Sequence, residues 1–276
     1  MIGFLVIFRC FFLCCAAAII VVMFRLDTAS AVRNGEARVV GGSPIGIAEI
    51  PYICSVRERM PAGHWGWTRA HICGSTILND HWLLTSAHCV YGKDIASLLI
   101  VCGVRQVRLV KRIELNPGFV GGAKGNDLAL IMLKKSVVFT GNVQPIPIYD
   151  QSNLLTNSAT IVGYGSSAYR EGEWTANGLQ AATVPILTHE ECRKQVSELA
   201  AYLTPDILCT GKGLTAAGTC IGDSGGPVTI ATDLQPFNLL AVPAWTVAPC
   251  GSVPSMHTLV SVHIQWILNV ISPILA

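Results

Sequence analysis

Ser224 stands among small residues in Gly222-Asp223-Ser224-Gly225-Gly226-Pro227. Glycines on both sides let the backbone adopt angles other residues avoid and let a substrate come close. Amide N–H groups in so tight a turn can converge on a developing oxyanion. The hexapeptide therefore reads as a serine presented for acyl transfer, against the plainer reading of a Gly-rich surface turn. A serine hydroxyl is a poor nucleophile without a base, and the base needs an orienter. Upstream, Thr85-Ser86-Ala87-His88-Cys89 follows the strand-like run Trp82-Leu83-Leu84. Between histidine and serine, Asn126-Asp127 opens the apolar run Leu128-Ala129-Leu130-Ile131. An acid at the mouth of a buried strand is costly unless paired, and His88 is the candidate partner.

The order His, Asp, Ser is that of the chymotrypsin-like triad, unlike the orders in subtilisins and α/β-hydrolases. The chain also carries Arg38-Val39-Val40-Gly41-Gly42, Ile50-Pro51-Tyr52, Gly163-Tyr164-Gly165 and Cys209. On these motifs it resembles the trypsin/chymotrypsin-like serine protease family from Val39 to the C-terminus. The resemblance implies an all-β fold of two antiparallel six-stranded Greek-key β-barrels, with a short intermediate helix and a C-terminal helix. The residues themselves read the same way. Short apolar runs bounded by Gly, Pro, Asn and Ser recur at Ile50–Val56, His71–Leu78, Leu98–Cys102, Val107–Glu114 and Leu128–Leu133. After the crossover Val143-Gln144-Pro145-Ile146-Pro147 they resume at Thr160–Val162, Ala182–Ile186, Pro227–Ile230, Leu239–Ala244 and Met256–Val262. Thr188-His189-Glu190-Glu191 is a capping-box signature, with Cys192, Val196, Leu199 and Leu203 on one helical face. Trp266, Ile267 and Val270 sit at helical spacing near the end. His88 and Asp127 then fall in the first half and Ser224 in the second, so the site is expected in the cleft between barrels.

Residues 1–31 read as a signal peptide: an apolar stretch broken by Arg9, then the A-x-A-like site Ala29-Ser30-Ala31. A retained anchor is the alternative. Residues 32–38 read as an activation propeptide and 39–276 as the protease domain. By resemblance, an Arg-specific protease cuts after Arg38, and the freed Val39 amino group inserts beside Asp223, an ion pair absent until the bond is cut. From Val39 onward basic and acidic residues balance, which points to neither nucleic acid nor an anionic membrane as partner. The expected product is a secreted, extracellular monomer. Cys10, Cys14 and Cys15 leave with the leader, and the remaining cysteines suit an oxidising compartment. The resemblance implies the disulfides Cys73–Cys89, Cys192–Cys209 and Cys220–Cys250. Cys54 and Cys102 lie in strand-like runs that are neighbours in the family's first barrel, so a fourth bridge is expected there, with two buried thiols as the alternative.

By the same resemblance His88 takes the proton of Ser224 and later returns it to the leaving amine, while Asp127 fixes the tautomer. The N–H groups of Gly222 and Ser224 form the oxyanion hole. His64, His71, His81, His189 and His263 have no motif context and read as surface or satisfied core residues. No spacing matches a closed zinc set, and Gly103–Gly118 offers only Glu114 towards calcium, so neither metal nor cofactor is expected. Gly218 stands where trypsin-like enzymes place the aspartate that holds Lys or Arg, and a basic side chain would be buried unpaired there. Ala244-Trp245-Thr246 replaces the common Ser-Trp-Gly, Ser255 replaces a usual glycine and His257 a usual tyrosine. Thr246 should narrow the pocket mouth. The expectation is chymotrypsin/elastase-like cleavage after uncharged residues, small to medium apolar or aromatic. Ala244 leaves Asp127 one donor short. The function expected is thus a zymogen-derived serine endopeptidase acting on proteins or peptides and open to protein protease inhibitors. The alternative is a catalytically weak or silent homologue that serves as a secreted binding protein.

Overall fold

A computed structural model of the chain describes residues 39–61, 67–122, 124–151, 154, 156–165, 178–211 and 217–272. The leader, Arg38 and His64 lie outside them. Short apolar runs become strands, several of them buried at nearly every position because both faces are covered. The strands are β1 (Ser43–Pro44), β2 (Ile53–Pro61), β3 (Trp67–Ile77), β4 (Trp82–Thr85), β5 (Leu98–Cys102), β6 (Gln106–Leu115) and β7 (Ala129–Leu133). In the second half follow β8 (Ser158–Gly163), β9 (Gln180–Leu187), β10 (Ile207–Thr210), β11 (Val228–Ile230), β12 (Asn238–Trp245) and β13 (Ser255–Leu259).

Strands β2 to β7 close into a six-stranded antiparallel barrel in the order β2-β3-β4-β7-β6-β5. In the second half β9-β10-β13-β12-β11-β8 closes through the β8–β9 pairing, and β1 adds outside β9 by Ser43 opposite Ala181. Each barrel has its own core, Val56, Ile77, Leu83, Ile100 and Ile131 in the first and Val39, Ile161, Val228 and Leu240 in the second. A further cluster belongs to both: Ile53, Leu84 and Leu130 from the first barrel pack with Val162, Leu239 and Val242 from the second. At about 1.5–3 kcal/mol for each fully buried aliphatic side chain, this shared layer holds the two halves of the cleft in register.

Strand β10 has no forerunner among the apolar runs of the sequence. Four residues, all buried, are too short to show a period. Three α-helices interrupt the strands among the described residues: α1 (Ala87–Val90), α2 (His189–Val196) and α3 (Ile264–Ile271). The capping box of α2 forms as expected, with Glu191 N–H on Thr188 Oγ1 at 3.2 Å and Thr188 N–H on Glu191 Oε2 at 2.9 Å. The helix is shorter than its apolar face suggested. Ser197 takes φ 44°, which stops α2, and Leu199 lies in a 3₁₀ segment, Ser197–Tyr202. Leu203 is buried with Cys192 and Val196 nonetheless.

Every cysteine among the described residues is paired. Cys73–Cys89, Cys192–Cys209 and Cys220–Cys250 are formed. Cys54 faces Cys102 across β2 and β5, with Cα atoms 4.4 Å apart, and the two are bonded.

Candidate active site

His88 lies in α1, a single turn after β4 that is anchored through Cys89 to Cys73 on β3. Asp127 lies just ahead of β7, the neighbour of β4 in the barrel, so strand pairing carries the carboxylate to the imidazole. His88 Nδ1 lies 2.6 Å from Asp127 Oδ2, and the His88 backbone N–H donates to Oδ1 at 2.9 Å. Asp127 is 3 % exposed while the His88 ring remains accessible from the cleft. An acceptor at Nδ1 leaves Nε2 as the basic nitrogen towards solvent. Among the described residues, both hydrogen bonds to the Asp127 carboxylate come from His88.

The Ser224 turn is built against α1 from the second barrel. Gly225 N–H donates to Pro243 O at 3.2 Å, and Ser86 Oγ donates to the same carbonyl at 2.6 Å. Gly74 N–H donates to Ser224 O at 2.8 Å, and a Cβ on Gly225 would strike Thr85 and Gly74. Gly225 therefore has to be glycine, and its φ of 78° adds the same demand. This packing seats Ser224, half-buried, beside the turn that carries His88. Among the described residues no hydrogen bond yet joins Ser224 Oγ to His88. None of them accepts from the backbone N–H of Gly222 or Ser224 either. Both residues are half-buried, and N–H groups left free beside a serine are able to bind an anion.

His71 contributes what the sequence did not reveal. It is a satisfied core residue, as expected, but it touches the turn. Its Nε2–H donates to Gly222 O at 2.9 Å. That fixes the tautomer, so Nδ1 accepts from Ser55 Oγ at 2.8 Å, and Ser55 in turn accepts from Arg57 Nε at 3.2 Å. Burial holds the ring's pKa down to about 4, the Gly222 contact opposing this. No local motif marks His71; only the closed barrel brings β3 to residue 222.

Asp223 is fully buried. Its carboxylate accepts from Gly165 N–H and Cys220 N–H, each at 2.8 Å. Side chains at Gly163 or Gly165 would occupy the space of that carboxylate. Burial pushes its pKa up to about 7 against the pull of the two N–H groups. Close by in sequence, Gly218 pairs with Val40 through two backbone hydrogen bonds of 3.0 and 3.1 Å, and Val39 is buried in the second core.

Gly218 and Ser255 meet where the pocket floor is expected: Ser255 Oγ accepts from Thr219 N–H at 3.0 Å and would lie 3.0 Å from a Cβ on Gly218. His257 shares the Ser255 face of β13 and is wholly buried. Its Nε2 meets Thr210 Oγ1 at 2.7 Å, and burial lowers its pKa to about 3, keeping it neutral. Trp245 Nε1, Thr246 Oγ1 and His257 Nδ1 are buried without a hydrogen-bond partner among the described residues. Cys73, His88 and Cys89 offer atoms close enough for a metal, but both sulfurs are spent in the disulfide and are not thiolate ligands. Of the remaining histidines, His81 pairs with Asp80 at the surface, His189 is exposed, and His263 is buried against Asp206.

A protein-family model described as Trypsin matches residues 39–267. Trypsin-1 of Astacus astacus is 31% identical over 243 residues, covering 83% of this chain and 98% of that protein. Serine proteinase stubble of Drosophila melanogaster is 28% identical over 249 residues, 85% of this chain but only 31% of that longer protein. No helix among the described residues is long and apolar enough to cross a membrane. With two six-stranded barrels, an accessible histidine on a buried aspartate, a Gly-flanked serine at their junction and the family match over residues 39–267, the chain belongs to the trypsin family of serine proteases.

Proposed function

We propose that the protein is a secreted serine endopeptidase, made as a zymogen and cutting proteins after uncharged side chains. The observation that carries this reading is the His88–Asp127 contact of 2.6 Å beside a serine turn with two unclaimed N–H groups. Ser224 Oγ attacks the peptide carbonyl while His88 Nε2 takes its proton. Asp127 holds the imidazole's tautomer and stabilises its positive charge. The N–H groups of Gly222 and Ser224 receive the oxyanion, a contribution of about 3–4 kcal/mol per donor in comparable sites. His88 then protonates the leaving amine, and water repeats the sequence on the acyl-enzyme. Activation follows cleavage after Arg38: the new Val39 ammonium supplies the counter-charge that buried Asp223 lacks. The docking of Val40 on Gly218 supports this, because it fixes the start of the mature chain near the nucleophile loop.

The Astacus astacus relative is named a trypsin, yet Gly218 offers no carboxylate to a basic side chain, and Ser255 fills the space beneath it. Trp245, Thr246, Gly218 and Ser255 line a pocket for small to medium apolar or aromatic groups. The test is cleavage of a peptide library by the full chain after limited trypsin treatment, alongside Ser224→Ala and Arg38→Gln. Activity that needs both residues and favours uncharged positions is the expected result. A strong Lys or Arg preference would overturn the pocket reading. A correct Val39 terminus with no Ser224-dependent turnover would establish the silent binding homologue instead.

A further inference from the structure

Behind Asp127 lies a second, fully internal carboxylate–imidazole pair. Asp206, at the head of β10, and His263, just before α3, are each less than a tenth exposed, with Oδ2 and Nε2 3.3 Å apart. The network settles the roles. Asn116 Oδ1 accepts from Gly118 N–H at 2.9 Å, so its Nδ2 is the donor to His263 Nδ1 at 3.1 Å, and His263 Nε2–H points at Asp206. Asp206 takes two more bonds: Thr204 Oγ1–H on Oδ1 at 2.5 Å and the backbone N–H of Asn126 on Oδ2 at 2.7 Å. Burial raises the Asp206 pKa, but the bonds from His263, Thr204 and Asn126 outweigh it and hold it at about 2.

Asn126 is where the second barrel reaches the first. It sits in the left-handed region at φ 53°, and its carbonyl accepts from Leu128 N–H at 2.8 Å, which places Asp127 at the apex of a three-residue turn. Gly125, at φ 75°, lies so close that a Cβ there would come within 2.7 Å of Asp206 Oδ1. Asn116, which orients His263, is also bonded to this strand end, through its N–H on Leu128 O at 2.9 Å.

We propose that Asp206 and His263 are positioning residues: from the second barrel they clamp the Asn126 peptide and so aim the Asp127 carboxylate at His88. The inference rests on reading Asp127 as the orienter of His88. Asp206 touches neither substrate nor His88. Its effect passes through one backbone N–H, and it makes the alignment of a first-barrel pair depend on a second-barrel carboxylate. Because the clamp works by accepting hydrogen bonds, Asp206→Asn retains it. The amide oxygen still faces Asn126 and His263, and Thr204 Oγ1 turns to accept from the amide nitrogen.

The test compares Asp206→Ala, Asp206→Asn and Thr204→Val in the full chain after cleavage following Arg38, with turnover normalised to sites reactive towards a serine-directed phosphonate. Asp206→Ala is expected to lower kcat at least tenfold with KM within twofold, Thr204→Val about threefold, and Asp206→Asn to recover most of the loss. The second readout needs no turnover: the downfield proton NMR signal of the His88 Nδ1–H, measured in a Ser224→Ala background. It should shift upfield or broaden away in Asp206→Ala and persist in Asp206→Asn. Unchanged kcat and an unchanged proton in Asp206→Ala would overturn the clamp, as would a loss confined to KM or to thermal stability. If the wild type itself shows no Ser224-dependent turnover, the protease reading fails, and the His88 proton alone decides the clamp.

Discussion

Replacing Asp223 by Asn in the uncut chain should change how stability depends on pH, and cutting after Arg38 should abolish the change. The Asp223 carboxyl titrates near 7 when folded, against 3.8 in the unfolded chain. Between those values the folded protein holds a proton that the unfolded chain releases, so stability falls as pH rises from about 4 to about 7. At about 1.4 kcal/mol for each pH unit across that window, the fall is on the order of 4 kcal/mol. For a chain of this size that is roughly 10 °C in Tm. Two buried histidines act in the opposite direction over the same range. His71 and His257, held down to about 4 and about 3 from 6.5, stay neutral while the unfolded chain takes up protons, so they make stability rise with pH up to 6.5. The raw profile therefore mixes opposing slopes, and the difference between Ser224→Ala and Ser224→Ala/Asp223→Asn isolates the aspartate. The mismatch between Asn and the two N–H donors adds a constant offset that leaves the slope alone. The assay is thermal unfolding from pH 4 to 8, before and after cleavage following Arg38. The difference should fall by about 10 °C in the uncut chain and stay flat in the cut one, where the Val39 ammonium pairs with the ionised carboxylate. A flat difference before cutting, or equal slopes before and after, would refute the reasoning.

Removing the Cys54–Cys102 bridge by paired alanines opens a loop with a sequence separation of 48. Chain entropy puts the cost at about 4 kcal/mol, so Tm measured at neutral pH should fall by roughly 8–12 °C while activity at 25 °C persists. Gly218→Asp alone crowds Ser255 Oγ and should give a poorly active enzyme. With Ser255→Gly added, cleavage after Arg should gain on the order of 100-fold in kcat/KM on matched peptides, because the buried cation is then paired. Ala244→Ser should supply the Asp127 carboxylate with a donor beyond the two from His88 and raise kcat about three- to tenfold.

The strands that position the site were legible because their apolar runs are bounded by Gly, Pro and Asn, and the His88 and Asp127 blocks sit at strand ends that pair directly. The α2 capping box was legible for a local reason too, its partners being three residues apart. What the sequence hid depends on contacts that only closure of the barrels creates. His71 lies 151 residues from the Gly222 carbonyl it grips, and Asp206 lies 80 from the Asn126 amide. Neither has a spacing to recognise. The α2 helix was overextended because the apolar face continues past Ser197, and a backbone reversal at one serine leaves no trace in hydrophobic periodicity.

The four disulfides divide evenly between the barrels. Two close loops within the first barrel and two within the second, and none joins the halves. His88 and Asp127 belong to one half and Ser224 to the other, so the proposed triad is assembled across the cleft with no disulfide to hold it. The connecting stretch exposes Asp150, Gln151 and Leu154. A nick there would leave two cross-linked fragments held together without a covalent link, by the shared apolar layer and the docking of residues 39–44 on the second barrel. The strength of the cleft is therefore set by that packing, and the affinity of the two nicked fragments for each other measures it directly.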